Sequence, residues 1–184
     1  RLIDIGIALS AEHNTDRLTE RILLEAKEFC NADGGTLYLR SDDTLKFEIM
    51  HTDSLNLALG GTTGRPIDFP PLLMRNPDTG EENKKNVATW AAISGNSINI
   101  LDAYQTEEFD FSGTKKFDKS MDYHSKSFLT VPLKNSQDEV IGVLQLVNAK
   151  DPVTGEITAF DKTIQPLIES LASQAAVALD KQQL

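Results

Sequence analysis

The sequence predicts an α+β domain with a central, mainly antiparallel β-sheet and helices packed on its faces. Two pairs of apolar runs of strand length are each joined by a short polar turn, which is the pattern of β-hairpins. The first pair covers residues 36–40 and 45–51, and the second covers residues 128–133 and 140–147. Helical patterns at both ends of the chain frame these strands, so the terminal helices are expected side by side against the sheet.

The remaining elements follow from periodicity and from proline and glycine. Residues 2–9 and 15–29 carry apolar residues at helical spacing, and Thr15 is the expected N-cap of the second helix. The segment 53–86 is rich in proline and glycine and is expected to be a long loop, which is usually functional or mobile. The pattern also predicts a helix at 87–93, a strand at 97–100 and a helix at 115–121.

The last predicted helix is the longest. Pro166 is tolerated only in the first turn of a helix, where N–H groups have no intrahelical partner, so Thr163 is the expected N-cap. The apolar stripe of this helix becomes small toward its C-terminal end, at Ala175 and Ala178. Such a stripe suits a core face or a dimer seam equally well.

Composition limits the class of protein. The 184 residues fit a single domain, 1–184, and the helical patterns that run to both ends indicate a domain cut from a longer protein. Eighteen basic and 28 acidic residues give a net charge of −10, which argues against nucleic acid as a partner. The single Cys30 and the lack of a long apolar run favour a cytoplasmic location without membrane insertion.

Gln145 is an exception in the second hairpin. Both faces of the strand 140–147 are otherwise apolar, as expected of a central strand covered on two sides. A buried amide costs about 1–3 kcal/mol unless its donors and acceptors are paired. Gln145 is therefore predicted to bond either to its neighbours or to a ligand.

Two segments carry a family resemblance. The run G-N-S-I-N-I-L-D-A-Y at 95–104 and the stretch 117–150, which ends V-I-G-V-L-Q-L-V-N-A-K, resemble a GAF domain over nearly the whole chain. They are most similar to the branch that includes the cyclic-nucleotide-binding GAF domains of phosphodiesterases and adenylyl cyclases. The resemblance implies a small-molecule pocket between the sheet and the short helices and loops above it.

The resemblance also implies the lining of that pocket. Gln145 stands where some cyclic-nucleotide binders carry an acidic residue, and its amide offers a different set of donors and acceptors. The implied ligand-binding residues are Thr36, Met50, His51, Val87, Ala88, Thr114, Asp118, Met121, Ser125 and Gln145.

A structural motif of the same branch is only partly present. Asn148 and Lys150 are separated by Ala149, and Phe160 is followed at once by Asp161. The usual lysine–aspartate tether of the family would here be a pair between Lys150 and Asp161.

Each of these residues also has a structural interpretation. Asp118 could belong to a solvated acidic turn, and Asp102 is expected to cap its own loop. The three histidines lack the spacing and the companion acids of a metal site. Cys30, at the end of an apolar helix, fits a small core residue better than the cysteine chemistry of reductase or bilin-binding GAF domains. No nucleophile elbow or phosphate loop is present, so this domain is not expected to be an enzyme.

The function expected from residues and resemblance together is that of a regulatory, sensory GAF domain of a bacterial signal-transduction protein. Its candidate ligand is a cyclic purine nucleotide, cyclic AMP or cyclic GMP, with the phosphate at the N-terminus of the 87–93 helix. The expected partner is a covalently attached output domain. An HD-type phosphohydrolase is the first choice for that domain, and a cyclase or a kinase is the alternative. A homodimer through the terminal helices is expected, and the alternative is a ligand-free dimerisation module.

Overall fold

The computed structural model describes residues 2–182; residues 1, 183 and 184 of the expected domain lie outside them. The helices are α1 (Leu2–Ala11), α2 (Thr15–Cys30), α3 (Val87–Ser94), α4 (Ser112–Met121) and α5 (Gln165–Gln182). The strands are β1 (Ala32–Ser41), β2 (Thr44–Thr52), β3 (Leu57–Gly60), β4 (Leu72–Leu73), β5 (Ile98–Ile100), β6 (Phe128–Lys134), β7 (Val140–Lys150) and β8 (Ile157–Thr158). A 3-10 turn, Asp53–Leu55, follows β2.

The strands form one antiparallel sheet in the order β3-β2-β1-β7-β6-β5. The short strands β4 and β8 pair with β2 and β7 outside this path. The α+β prediction is thus confirmed, and both predicted hairpins form, as β1–β2 and β6–β7. Among the helices of residues 2–182, none is both long and apolar enough to span a bilayer.

The larger core lies between the sheet and the helices α1, α2 and α5. Leu37, Leu144 and Leu146 of the sheet pack there against Leu23 of α2 and Leu171 of α5, all fully buried. The terminal helices α1 and α5 contact each other, as expected from the sequence. The helix α3 packs on the opposite face of the sheet, against β6 and β7.

The ends of two helices correct the predicted caps. Asn14, not Thr15, is the N-cap of α2, because its side chain accepts a hydrogen bond of 3.0 Å from the Arg17 N–H. The helix α5 begins at Gln165, and the Thr163 hydroxyl instead donates to Asp161 over 3.0 Å. Pro166 does lie in the first turn of α5, as predicted.

The segment 53–86 is more ordered than the predicted loop. It contains β3, which pairs with β2 from Leu57 to Gly60, and β4. These strands have four and two residues, so no alternation long enough to predict them exists in the sequence. Their backbone hydrogen bonds to β2 supply the order that the local sequence does not.

Two turns share both a sequence pattern and a hydrogen-bond pattern. Residues 76–81 read N-P-D-T-G-E and residues 151–156 read D-P-V-T-G-E. In each, the first side chain accepts from the backbone N–H groups two and three residues later, and the glycine N–H donates to the carbonyl of the first residue. The glycines adopt φ of 75° and 74°, where an L side chain is disfavoured. The same short-range chemistry therefore builds the same turn twice.

A β-bulge interrupts the alternation of side chains at the start of β7. Between Leu133 and Lys134 of β6, the pairing on β7 moves from Gly142 to Val140, so Ile141 has no direct partner. Ile141 packs with the helix-side core instead of sharing the opposite face with Val143. From Gly142 onward the side chains alternate between the two faces, with Leu144 and Leu146 in the helix-side core and Val143 on the other side.

Candidate functional site

A cavity of about 310 Å³ lies on the side of the sheet opposite α2 and α5. Strands β1, β2 and β7 form its floor, and α3 lines one side. The roof consists of α4 and residues 123–125. Its volume falls within the range of about 300–1,000 Å³ that small-molecule pockets occupy. The cavity is therefore large enough for a nucleotide-sized ligand.

One row of residues crosses the floor from strand to strand. Register pairs Met50 with Thr36, Thr36 with Gln145, and Gln145 with Thr130. Residues opposite each other in an antiparallel sheet share a face, so all four side chains are on the cavity side. Thr36 and Gln145 supply the polar groups of this row that line the cavity.

Gln145 lies between Thr130 on β6 and the residues of β1. Its Oε1 accepts a hydrogen bond of 3.1 Å from the Thr130 hydroxyl. Burial raises the pKa of the Tyr38 phenol above its ordinary value, and a hydrogen bond with Gln145 opposes part of that rise. The side chain is nevertheless only half-buried and lines the cavity, so protein contacts and a ligand contact are compatible.

Aromatic rings cover much of the wall. Tyr38 and Phe47 have ring centroids 4.7 Å apart, and Phe69 lies 5.4 Å from Phe47. Phe111 and Phe128 form a second pair, with ring centroids 5.3 Å apart. All five rings line the cavity. Such walls suit a flat, partly apolar ligand.

Two helices begin at the cavity. Val87 and Ala88, in the first turn of α3, line it, and the Asn86 side chain caps that helix by accepting from the Thr89 N–H over 3.0 Å. The first turn of α4 also lines it, and there the Asp110 carboxylate accepts from the Ser112 N–H over 2.9 Å. The α3 terminus is capped by a neutral amide, whereas the α4 terminus already faces a carboxylate.

Asp118 acts on the cavity through Ser125. Asp118 is buried, and its carboxylate accepts hydrogen bonds from the Ser125 N–H at 2.8 Å and from the Ser125 hydroxyl at 2.7 Å. Its Oδ2 also accepts a bond of 2.5 Å from the Tyr104 hydroxyl. Burial, together with the hydrogen bond to Asp118 and its negative charge, raises the pKa of Tyr104 to about 12. Asp118 therefore fixes the lining residue Ser125 in place.

A second carboxylate, Asp33, holds the roof from the other end. The Tyr123 hydroxyl donates to Asp33 Oδ2 over 2.6 Å, and Ser54 donates to both carboxylate oxygens. The Lys150 Nζ lies 3.5 Å from Asp33 Oδ1. Burial favours a raised pKa for Asp33, but the bonds from Ser54 and Tyr123 and the charge of Lys150 outweigh it and hold the pKa below its usual value.

The expected pair between Lys150 and Asp161 is replaced by the pair with Asp33. Asp161 is exposed and accepts hydrogen bonds from the N–H and the hydroxyl of Thr163. Phe160 is buried in the helix-side core. Asn148 adopts φ of 60° and is fully enclosed, where it donates to Tyr123 Oη and accepts from two backbone N–H groups. Asn148 and Lys150 of β7 thus connect this strand to the roof, with Asp33 in place of the expected Asp161 as the carboxylate partner.

The structure places most of the expected ligand residues together. The residues that line the cavity are Thr36, Met50, Val87, Ala88, Thr114, Ser125 and Gln145. Asp118 lies behind Ser125, as described, and Met121 is at the exposed end of α4, away from the lining.

His51 is on the other side of the sheet. It follows Met50 in β2, and successive side chains of a strand point to opposite faces. Its Nε2 lies 3.8 Å from Glu20 Oε1 of α2 and is buried without a hydrogen bond among the described residues. Burial and the nearby charge of Lys27 lower the pKa of His51 more than the carboxylates of Glu20 and Asp53 raise it.

The aromatic walls and Tyr123 were not expected from the sequence. Phe47 reaches the cavity face through a β-bulge, because the pairing of β1 with β2 shifts between Leu37 and Tyr38 and simple alternation from Met50 would place Phe47 on the other face. Phe69 and Tyr123 lie in segments without periodicity, so only the fold brings them to the cavity.

The thiol of Cys30 lies away from this site. Within residues 2–182, no cluster of three or more metal-ligating side chains occurs. Cys30 does not line the cavity, its thiol donates to the Ala26 carbonyl, and burial raises its pKa to about 12. A thiolate nucleophile is therefore disfavoured at Cys30.

Comparisons with known proteins point to one family. The family model described as GAF domain matches residues 14–179. The chain is 31% identical over 100 residues to the dual 3',5'-cyclic-AMP and -GMP phosphodiesterase 11A of Takifugu rubripes, a match covering 54% of this chain and 10% of that protein. It is 40% identical over 62 residues to the dual phosphodiesterase 11 of Drosophila melanogaster, covering 34% of this chain and 4% of that protein. The chain thus matches a tenth or less of the length of these relatives.

Solved structures share the fold at low identity. The GAF domain of a phosphoenolpyruvate-protein phosphotransferase from Coxiella burnetii has a TM-score of 0.70 at 14% identity, covering 99% of this chain and 92% of that one. A GAF domain/HD domain protein from Geobacter sulfurreducens has a TM-score of 0.60 at 15% identity, covering 100% of this chain and 98% of that one. The free methionine-R-sulfoxide reductase of Neisseria meningitidis has a TM-score of 0.63 at 16% identity, covering 99% of this chain and 87% of that one.

Proposed function

Because the chain belongs to the GAF domain family, a family of regulatory small-molecule-binding modules of signalling proteins, we propose that its cavity binds a cyclic purine nucleotide. The single observation that carries the proposal is the cavity itself, which combines aromatic walls, a polar floor row and a helix N-terminus. The similarity to two phosphodiesterases named for cyclic AMP and cyclic GMP supports this ligand class.

The phosphate of such a ligand fits best at α3. The first N–H groups of a helix have no intrahelical acceptor, and the helix dipole favours an anion there. Val87 and Ala88, the first two residues of α3, line the cavity. At α4 the Asp110 carboxylate would oppose a second negative charge, so the α3 end is the proposed phosphate position.

The purine of the ligand would then lie over the floor. Rings such as Tyr38, Phe47 and Phe128 offer stacking and edge contacts to a planar base. Gln145 and Thr36 supply hydrogen bonds from below. The proposed ligand residues are those of the expected set that line the cavity, and His51, Asp118 and Met121 act elsewhere.

The proposed output is a covalently attached domain, with an HD-type phosphohydrolase as the first choice and a cyclase or kinase as the others. A Geobacter sulfurreducens protein named for a GAF and an HD domain has the same fold in its GAF region. Ligand binding would act on the output by changing how α1 and α5 pack, provided that the two states differ in ligand affinity. A bacterial, cytoplasmic host protein belongs to the same proposal.

The terminal helices form the proposed homodimer surface. Ile3 and Ile7 of α1 and Val177 of α5 are exposed beside a groove whose floor includes Gly6 and Ser173. The patch therefore carries projecting apolar side chains next to a shallow groove of small residues. Two copies related by a two-fold axis could each insert the isoleucines into the partner's groove, as an isologous interface requires.

Thermal unfolding with and without nucleotide tests the ligand proposal. A ligand present at 100 times its dissociation constant should add about 2.7 kcal/mol to the free energy of unfolding. We expect an increase in Tm with cyclic GMP or cyclic AMP, and no increase with the corresponding linear 5'-monophosphates. No shift with either cyclic nucleotide would contradict the proposal.

Two tryptophan variants of α4 localise the effect. Thr114 lines the cavity and is half-buried, so Thr114→Trp should fill the cavity and abolish the shift. Ser112, two residues earlier, is exposed and does not line the cavity, so Ser112→Trp should keep it. Equal loss in both variants would indicate damage to α4 rather than occupation of the cavity.

The alternative function is a ligand-free dimerisation module, which the apolar patch on α1 and α5 supports. A dimer in solution without any nucleotide-induced shift would favour this alternative. Enzymatic activity is tested separately, because the fold also occurs in the methionine sulfoxide reductase named above. Turnover of free methionine sulfoxide that disappears in Cys30→Ala would contradict a purely regulatory role.

A further inference from the structure

We infer that the Thr130 hydroxyl fixes the amide of Gln145 so that the cavity floor offers hydrogen-bond donors, and that the site therefore prefers a 6-oxo purine to a 6-amino purine. This inference rests on the proposed function, since it concerns the base of the proposed cyclic nucleotide. It assigns a specificity role to a residue that does not line the cavity.

The orientation of the amide follows from the burial of Thr130. Thr130 lies on β6 directly opposite Gln145 and is fully buried. A buried hydroxyl needs an acceptor for its proton, and an amide oxygen accepts whereas an amide nitrogen does not. The Thr130 Oγ1 donates over 3.1 Å to Gln145 Oε1. The oxygen is therefore held toward β6, and Nε2 faces the other side.

Tyr38 lies on that other side. It occupies β1, is buried and lines the cavity. It pairs with Val143 of β7, so its side chain lies on the same face as Gln145, two residues further along that strand. Strands β1 and β6 flank β7 on opposite sides, so the amide whose Oε1 is held toward Thr130 directs Nε2 toward Tyr38. Burial raises the pKa of the Tyr38 phenol, so its O–H proton is retained. The N–H of Gln145 and the O–H of Tyr38 are then two neighbouring donors.

Two neighbouring donors distinguish the two purines. A 6-oxo purine presents N7 and O6, which are adjacent acceptors, whereas a 6-amino purine presents the N7 acceptor beside the N6 donor. The N7 and O6 acceptors of the 6-oxo purine can pair with both donors. The N6 donor of the 6-amino purine would face one of these donors and leave it without an acceptor. An unpaired buried donor weakens binding, so the expected preference is about ten-fold in favour of cyclic GMP over cyclic AMP.

Thr36 does not counteract this preference. It neighbours Gln145 in the floor row, and its hydroxyl can rotate to donate or to accept. The discrimination therefore depends on the amide of Gln145 and on the residue that orients it.

Calorimetric titration of the protein with cyclic GMP and cyclic AMP tests the inference, using Thr130→Val and Thr130→Ser. Valine keeps the shape of threonine without its hydroxyl, so the amide of Gln145 can rotate by 180° and the preference should fall to about two-fold or less. Serine keeps the hydroxyl and should keep the preference. Equal affinities of the unmodified protein for both nucleotides, or a preference that persists in Thr130→Val, would overturn the inference.

The ligand-free protein gives an independent readout. Nuclear Overhauser contacts should connect the Gln145 amide protons with the ring of Tyr38 in the unmodified protein and in Thr130→Ser. Amide protons directed at the Thr130 methyl group instead would overturn the proposed orientation. If neither nucleotide binds, the proposed function fails together with the specificity; if both bind equally, the proposed function stands and only the specificity fails.

Discussion

The hydroxyl of Tyr123 donates a hydrogen bond of 2.6 Å to Oδ2 of Asp33, which joins the roof of the cavity to the start of β1. Asp33 is almost fully buried and also faces Lys150. The roof is therefore held by an ionised group whose partners come from three separate segments of the chain.

Asp33→Asn should destabilise the protein by about 2 kcal/mol, because hydrogen bonds to a buried charge are stronger than those to a neutral amide. Tyr123→Phe removes one of these bonds and should cost about 1 kcal/mol. Urea unfolding measures both. Asp122→Asn is the matched control, since Asp122 is exposed at the end of α4. Equal stability of Asp33→Asn and the control would contradict the structural role of Asp33.

The decrease in the free energy of unfolding at acidic pH should depend on Asp33. Its pKa in the folded protein is below the ordinary value, so the unfolded chain binds the proton more readily. The contribution is fully present above about pH 4, the ordinary pKa of an aspartate, and is lost as the pH falls through the lower folded value. Unfolding measured against pH should show a weaker acid dependence in Asp33→Asn.

His51 should cause a separate pH dependence at higher pH. Its pKa is lowered in the folded state, so protonation favours the unfolded chain, and stability should decrease as the pH falls through about 6.5. His51→Gln should reduce this slope, whereas His13→Gln should not, because His13 is exposed. An unchanged slope in His51→Gln would mean that the ion pair with Glu20 forms on protonation and offsets burial.

The proposed dimer surface predicts a charge-sensitive association. Ile7→Glu places a carboxylate in the apolar patch on α1 and should convert dimer to monomer in sedimentation velocity. Val153→Glu is the control, because Val153 is 91% exposed and lies in the turn 151–156, outside the groove. If both variants stay dimeric, the dimer surface lies elsewhere.

Two glycines should respond oppositely to alanine. A Cβ at Gly35 would lie 2.8 Å from both the Gln145 carbonyl oxygen and Leu23 Cδ1, so Gly35→Ala should destabilise by about 1–3 kcal/mol. A Cβ at Gly113 in α4 would meet no heavy atom within 4 Å, and Gly113→Ala should stabilise by about 0.5–1 kcal/mol. Thermal unfolding compares the two. A tolerated Gly35→Ala would show that α2 can move away from the sheet.

The elements that could be predicted are those with a long apolar period. The helix α2 and the hairpin β6–β7 have enough turns or alternations to identify them, whereas β3 and β4 depend on pairing with β2. The prediction that both Met50 and His51 line the cavity was wrong for His51, because adjacent residues of one strand point to opposite faces of the sheet.

The side-chain partners were harder to predict than the elements. Lys150 could pair with any acidic residue, and only the antiparallel register of β1 beside β7 brings Asp33 within 3.5 Å of it. Asp118 was expected to meet a ligand and instead holds Ser125. A sequence indicates which residue types are present at a site, but their direct partners depend on the tertiary arrangement.

The sheet separates the cavity from the patch on α1 and α5, since the floor row faces one side and the terminal helices cover the other. Substitutions that alter the floor, such as Thr130→Val, leave the helix surface untouched, and Ile7→Glu leaves the floor untouched. The proposed ligand preference and the proposed dimer surface can therefore diverge independently during evolution, because a single layer of strands keeps their determinants in separate neighbourhoods of the molecule.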